Sequence, residues 1–189
     1  MKGQIFLAGA ALMVVLLVLI GSAFNAPAEI PASAAIAIQA DNIANEYKYA
    51  IGLSAADGHD DLFAMSGYFR ENVLGFDSIY ALIVTDPSGP YRLTVGNFLR
   101  GVIDVNVSAT QSSPQTISLR LADKERANWD FSGTGAVRLT INYTLQNVVR
   151  SKTLDFTTYS NQTIGWSDIG ISSDDDRIRR DGVRTVTRQ

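Results

Sequence analysis

Three Asn-x-Ser/Thr tripeptides, an acidic cluster around the single histidine and an arginine-rich segment are the parts of this sequence whose residue types and spacing could carry chemistry. Asn106-Val107-Ser108, Asn142-Tyr143-Thr144 and Asn161-Gln162-Thr163 are N-glycosylation acceptor sequences for a chain exposed outside a membrane. Asp57-Gly58-His59-Asp60-Asp61 brings carboxylates and an imidazole together. A divalent cation held by Asp57, His59 and Asp61 is one use of that cluster. Capping a following helix, whose first N–H groups lack partners, is the simpler use. Metal motifs have a more specific spacing or a second histidine, so no metal ligand is assigned, and His59 is expected at an exposed turn. Arg177, Arg179, Arg180, Arg184 and Arg188 follow Asp174-Asp175-Asp176 and could meet an acidic partner or an anionic surface.

Residue type excludes much else. The 189 residues include no cysteine, so there is no disulfide framework, thiolate metal site or cysteine nucleophile, and one histidine cannot build a multi-histidine centre. Sixteen basic against 19 acidic side chains leave a net charge of −3, without the concentrated positive surplus that a nucleic-acid backbone requires. No P-loop, dinucleotide-binding glycine motif or nucleophile elbow occurs. A Ser-His-Asp triad would have to use His59, which sits among acids with no serine partner in view. Spacing in three dimensions decides glycoside hydrolysis, and nothing in one dimension nominates a carboxylate pair. Trp129 and Trp166 could stack on a sugar, but Trp129 beside Phe131 reads as core. No catalytic residue and no cofactor is assigned, and the chain is expected not to be an enzyme.

The elements that would position these residues are helices first and strands after. Pro27 and Pro31 should end or kink any helix ahead of them, and Ser33 can cap the next one. Ile36, Ala40, Ile43, Tyr47 and Ile51 recur at helical spacing to about Leu53, and Leu62, Met65, Phe69 and Val73 do so up to Gly75. Residues 33–75 are therefore expected to be two amphipathic packing helices, with the acidic cluster at the start of the second. From Ile79 the period changes to two. Candidate strands are Ile79–Thr85, Tyr91–Val95, Val102–Ala109, Gln115–Leu121, Asn128–Phe131, Ala136–Leu145 and Val148–Thr158. Val105, Val107 and Ala109 alternate with Asn106 and Ser108, and Ile141, Tyr143 and Leu145 with Asn142 and Thr144, so each strand buries one face and places its sequon on the other. Residues 76–171 thus read as an antiparallel β-sandwich. Residues 172–189 have too little apolar content to build a core and read as a charged flexible tail, with Asp181-Gly182 able to turn a small hairpin.

Ahead of all this, Ile5 to Phe24 is an uncharged apolar run. At about 1.5 Å per residue it spans roughly 30 Å, the hydrocarbon thickness of a bilayer. The positive end at Met1 and Lys2 stays in the cytoplasm, which puts the remainder of the chain outside. Residues 1–28 are read as an anchor. Cleavage at Ala26-Pro27-Ala28, as in a secretory signal, is the alternative.

Lys2-Gly3-Gln4 followed directly by the apolar run resembles the class III signal peptide of archaeal type IV pilin-like proteins. The resemblance covers about the first 25 residues and implies cleavage after Gly3, leaving Gln4 first and the helix retained. It also implies partners: the lipid bilayer and pilin-like subunits or other surface proteins. The family's glutamate, five residues into the mature chain, would fall at Ala8, so the resemblance implies a minor or pilin-like anchored protein rather than a major pilin.

The expectation from sequence is an α+β protein with an N-terminal transmembrane helix, two amphipathic helices and an antiparallel β-sandwich, pilin-like or immunoglobulin-like. It would be anchored in the cell membrane by a single pass and be structural or adhesive, with Asn106, Asn142 and Asn161 as glycosylation positions. An anchored module that binds an envelope solute or glycan is the alternative, and an extracytoplasmic hydrolase stands third.

Overall fold

A computed structural model describes residues 32–111, 114–133, 135–145, 147–173 and 176–188. The expected membrane segment, with Gly3 and Gln4, lies outside the described residues. Two helices come first, α1 (Ala32–Asp57) and α2 (Asp61–Asn72). Nine strands follow: β1 (Asp77–Thr85), β2 (Tyr91–Phe98), β3 (Ile103–Thr110), β4 (Gln115–Leu121), β5 (Glu125–Phe131), β6 (Ala136–Leu145), β7 (Val148–Thr157), β8 (Gln162–Ser172) and β9 (Arg177–Thr187). Every pairing is antiparallel, in a five-stranded sheet ordered β5-β2-β1-β8-β9 and a four-stranded sheet ordered β4-β3-β6-β7.

The layers follow from which faces are apolar. Ile79, Leu93 and Ile164 of the larger sheet meet Val105, Leu139 and Ile141 of the smaller one in the sandwich core. The opposite face of the larger sheet is apolar too: Tyr80, Leu82, Ile169 and Ile171 pack against Ile43, Tyr47, Ile51 and Leu62 of the helices. Each of these buried aliphatic side chains contributes about 1.5–3 kcal/mol by leaving water. Gly165 sets how closely α1 can approach, because a Cβ there would stand 2.2 Å from Ile51 Cγ1. The Tyr47 hydroxyl lies 2.6 Å from Ser66 Oγ and 2.8 Å from Ser78 Oγ, which joins α1, α2 and β1 through one buried contact. The result is three layers: helices, five-stranded sheet, four-stranded sheet.

The acidic cluster caps α2. Asp60 is its N-cap and accepts from the Phe63 N–H at 3.2 Å, while Asp61 lies in the first turn. Ser33, expected as a cap, lies inside α1, which has begun by Ala32.

Two elements differ from the sequence reading. β8 went unrecognised because it is buried on both faces and so lacks alternation, and because Gly165 and Gly170 interrupt it. The supposed flexible tail is β9, paired with β8 along its whole length; Asp181 and Gly182 lie mid-strand opposite Asp168 and Ser167 rather than in a hairpin turn. Its low apolar content is compensated by ion pairs and by backbone pairing, which a composition argument does not see. No helix among the described residues is long and apolar enough to cross a membrane.

Candidate functional site

Three places gather polar side chains. The first is where β9 closes the sandwich. On the face that looks toward the smaller sheet, Arg179 lies opposite Gly170, and Asp181 opposite Asp168. Arg179 is only 13 % exposed; it gives Nη1 to Asp77 Oδ1 at 2.6 Å and Nε to Asp168 Oδ1 at 2.8 Å. Arg177 Nη2 reaches Asp77 Oδ2 at 2.7 Å. Gly170 is the residue that leaves room, since a Cβ there would meet Asp77 Oδ1 at 2.5 Å and Arg179 Nη1 at 2.7 Å.

The smaller sheet completes the cluster. Tyr143 of β6 donates its hydroxyl to Asp168 Oδ2, and Lys152 of β7 reaches Asp181 Oδ2 at 2.6 Å, while Trp166 Nε1 donates to Asp181 Oδ1. Burial, then the neighbouring Asp168 carboxylate, pushes the Tyr143 hydroxyl far up. Burial works against the Arg179 charge, but Asp168 and Asp77 outweigh it and hold the guanidinium above its ordinary value. A cavity of about 290 Å³ runs between these groups. All six carboxylate oxygens of Asp77, Asp168 and Asp181 have a donor, so none is positioned as a base awaiting a proton. The cluster ties two sheets together.

The second place is a cleft of about 470 Å³ on the helix side of the larger sheet, floored by Leu82, Val84 and Thr94. His59, Asp60, Arg92 and Arg126 are among the residues that line it. Asp60 Oδ2 accepts from Tyr80 Oη at 2.7 Å and from Arg126 Nη1 at 3.0 Å, and that guanidinium sits 4.6 Å from the centre of the Phe63 ring. Burial and then the Asp60 charge push the Tyr80 hydroxyl far up. Arg92 pairs with Asp130 at 2.8 Å, which holds that carboxylate below the usual range. Arg126 and Arg92 are thus paired with carboxylates, while Arg188, also on this wall, donates to the Thr85 carbonyl.

The third place is the outer face of the smaller sheet, where Asn106 of β3 lies directly opposite Asn142 of β6. Asn161 is elsewhere, in the turn before β8, and donates Nδ2 to the Arg188 carbonyl at 3.0 Å. The sequence therefore singled out three sequons that the fold divides into a facing pair and a separate residue.

His59 is 80 % exposed in the turn between the helices, with Nδ1 3.7 Å from Asp57 Oδ1. The Asp61 carboxyl is raised above its ordinary value by burial and then by Asp57. Among the described residues no group of three or more histidine and carboxylate side chains is placed to hold a metal ion. Trp166 is buried in the core and Trp129 half-buried against it, so the two indoles form no exposed stacking platform. The ionic cluster at β9 was missed from sequence, although Arg177, Arg179 and Asp181 at two-residue spacing are the signature of one face of a strand. No protein-family model, curated protein or solved structure matches the chain.

Proposed function

We propose that this is a membrane-anchored, extracytoplasmic structural or adhesive protein, a pilin-like subunit of minor type. The observation that carries the reading is the uncharged run Ile5 to Phe24 directly ahead of a helix-on-sandwich domain. Lys2-Gly3-Gln4 at its start supports processing after Gly3 and retention of the helix. Helices leading into an antiparallel sandwich support a pilin-like outline over an immunoglobulin-like one, which is built from two sheets without a helical layer. The internal matching of charges at the β9 cluster, and the Asp60–Arg126 pair in the cleft, support a scaffold role over a catalytic one. In this reading the apolar segment enters the bilayer or packs among similar helices, the domain from Ala32 onward faces outward, and no nucleic acid is involved.

Fractionation tests it. The full chain should remain with membranes through an alkaline carbonate wash, and protease added to intact cells should digest the β-domain. Release by carbonate, or protection until the cells are opened, would contradict the reading.

The cleft favours a second reading, a ligand-binding module, because Leu82 and Val84 put apolar surface in its floor while its rim carries Arg92, Arg126 and Arg188. Saturable binding of an envelope solute or oligosaccharide, abolished by Arg126→Ala, would move this reading to first place.

A further inference from the structure

The outer face of the smaller sheet has a composition that suits water and does not suit a protein partner. Across the four strands one row reads Ser118, Asn106, Asn142, Ser151. The next row carries Ser108, Thr140 and Thr153. The apolar residues of the same strands, Val105, Val107, Leu139 and Ile141, are buried on the other side. Toward the ends of the strands the same face adds the exposed Arg138–Asp155 pair and a single large apolar side chain, Val149, so it offers little apolar area to gain from burial, and its polar groups would need new partners if a protein covered it. Hydration, or a hydroxyl-rich polymer that resembles it, is its stable environment.

Two acceptor sequences stand in the middle of that face. In each, Asn and the hydroxyl two residues on point the same way along an extended strand: Asn106 with Ser108, and Asn142 with Thr144. Asn106 is exposed, and its Oδ1 accepts from Ser118 Oγ at 2.6 Å, which engages the acceptor and not the Nδ2 that would bond a sugar. Asn142 is half-buried between Asn106 on one side and Ser151 on the other. The third sequon differs in kind. The Asn161 side chain donates to the Arg188 carbonyl, and the Arg188 N–H donates back to the Asn161 carbonyl at 2.7 Å, so this asparagine fastens the end of β9.

We infer that the outer face of the smaller sheet is a modification face carrying one N-linked glycan per chain, on the facing pair Asn106 and Asn142, and that Asn161 is unmodified. The inference rests on the extracytoplasmic placement proposed above. Side chains directly opposite in an antiparallel pair have Cβ atoms about 4.5–5.5 Å apart, too close for two N-linked sugars to leave the sheet side by side without splaying the ladder. The asparagine Nδ2 forms a bond to the anomeric carbon of a phosphate-activated glycosyl donor. The donor's carbon–oxygen bond breaks, its phosphate leaves with the electron pair, and Nδ2 gives up one proton. On the folded chain the Arg188 tie withholds Asn161, and a sugar on one asparagine of the β3–β6 rung covers its neighbour.

The test is intact mass and glycopeptide mapping of the full chain extracted from its native membranes. The unsubstituted protein should carry one glycan, at Asn106 or at Asn142. N106Q and N142Q should each keep one glycan on the remaining asparagine, the double variant should have none, and N161Q should be modified as the unsubstituted chain is. S108A and T144A remove the acceptor signal while keeping the asparagines, and should repeat the pattern if a glutamine variant fails to fold. Two glycans on one chain, a glycan on Asn161, or an unmodified chain would overturn the inference. Protease accessibility on intact cells, measured on the same preparation, separates the two failures: an accessible but unmodified domain sinks only this inference, while an inaccessible one sinks the placement beneath it.

Discussion

At the scale of single residues, burial decides what a charge contributes. Arg179 is the one cation shared by two buried carboxylates, Asp77 and Asp168. Its removal leaves one oxygen of each without a donor in a place water reaches poorly, with Asp77 still held by Arg177 and Asp168 by Tyr143. R179M should therefore lose about 3–5 kcal/mol of stability, measured as a lower urea midpoint at unchanged slope. Arg92 and Asp130 form a pair of equally good geometry but in solvent, and R92M should leave the midpoint within error of the parent. The tyrosines give a second residue-scale prediction. Burial pushes the Tyr91 hydroxyl up to about 12, and raises Tyr47, Tyr80 and Tyr143 further. A folded pKa above the unfolded value means stability that is full below the unfolded pKa, near 10, and lost as pH rises through the folded one. Stability should fall steadily above about pH 10, and the ultraviolet signal of tyrosinate from these four side chains should appear together with unfolding. Their ionisation in a chain that remains folded would contradict the packing described.

At the scale of elements, the arrangement of faces determined what could be read from sequence. β4 and β6 were anticipated with the bounds they have, because each buries one face and alternates. The two helices were anticipated within a few residues, because Tyr47 and Leu62 stand in apolar stripes at helical spacing. β8 escaped because both its faces are covered, and β9 because its partner Asp77 is distant in sequence and its arginines look solvated when read alone. The facing of Asn106 and Asn142 was likewise illegible, since register between strands far apart in the chain is not a local property. If β9 is an integral strand, deleting residues 177–189 uncovers the β8 edge and strands two buried aspartates. The truncated chain should lose cooperative unfolding and expose apolar surface to a dye, whereas a mere tail could be removed without consequence. Amide exchange should be slowest in β1 and β8, the strands covered on both sides, and faster in the edge strand β4.

At the scale of the whole molecule, the described domain is a three-layer body in which most charged side chains are paired with one another. Its helix side carries an open cleft, and the middle of its far side is rows of hydroxyls and amides. In the function proposed above this body would face outward, with one face kept wet. Whether the run Ile5 to Phe24 is retained as the proposed anchor, and where the chain is cut, is a covalent question that the mature N-terminus answers. The decisive measurement is the N-terminal sequence of the protein extracted from its native membranes. Our account predicts a chain that begins at Gln4 with the apolar run retained. A chain that begins at Met1 would leave a plain anchor, one that begins near Glu29 a secreted domain, and either would contradict the pilin-like reading.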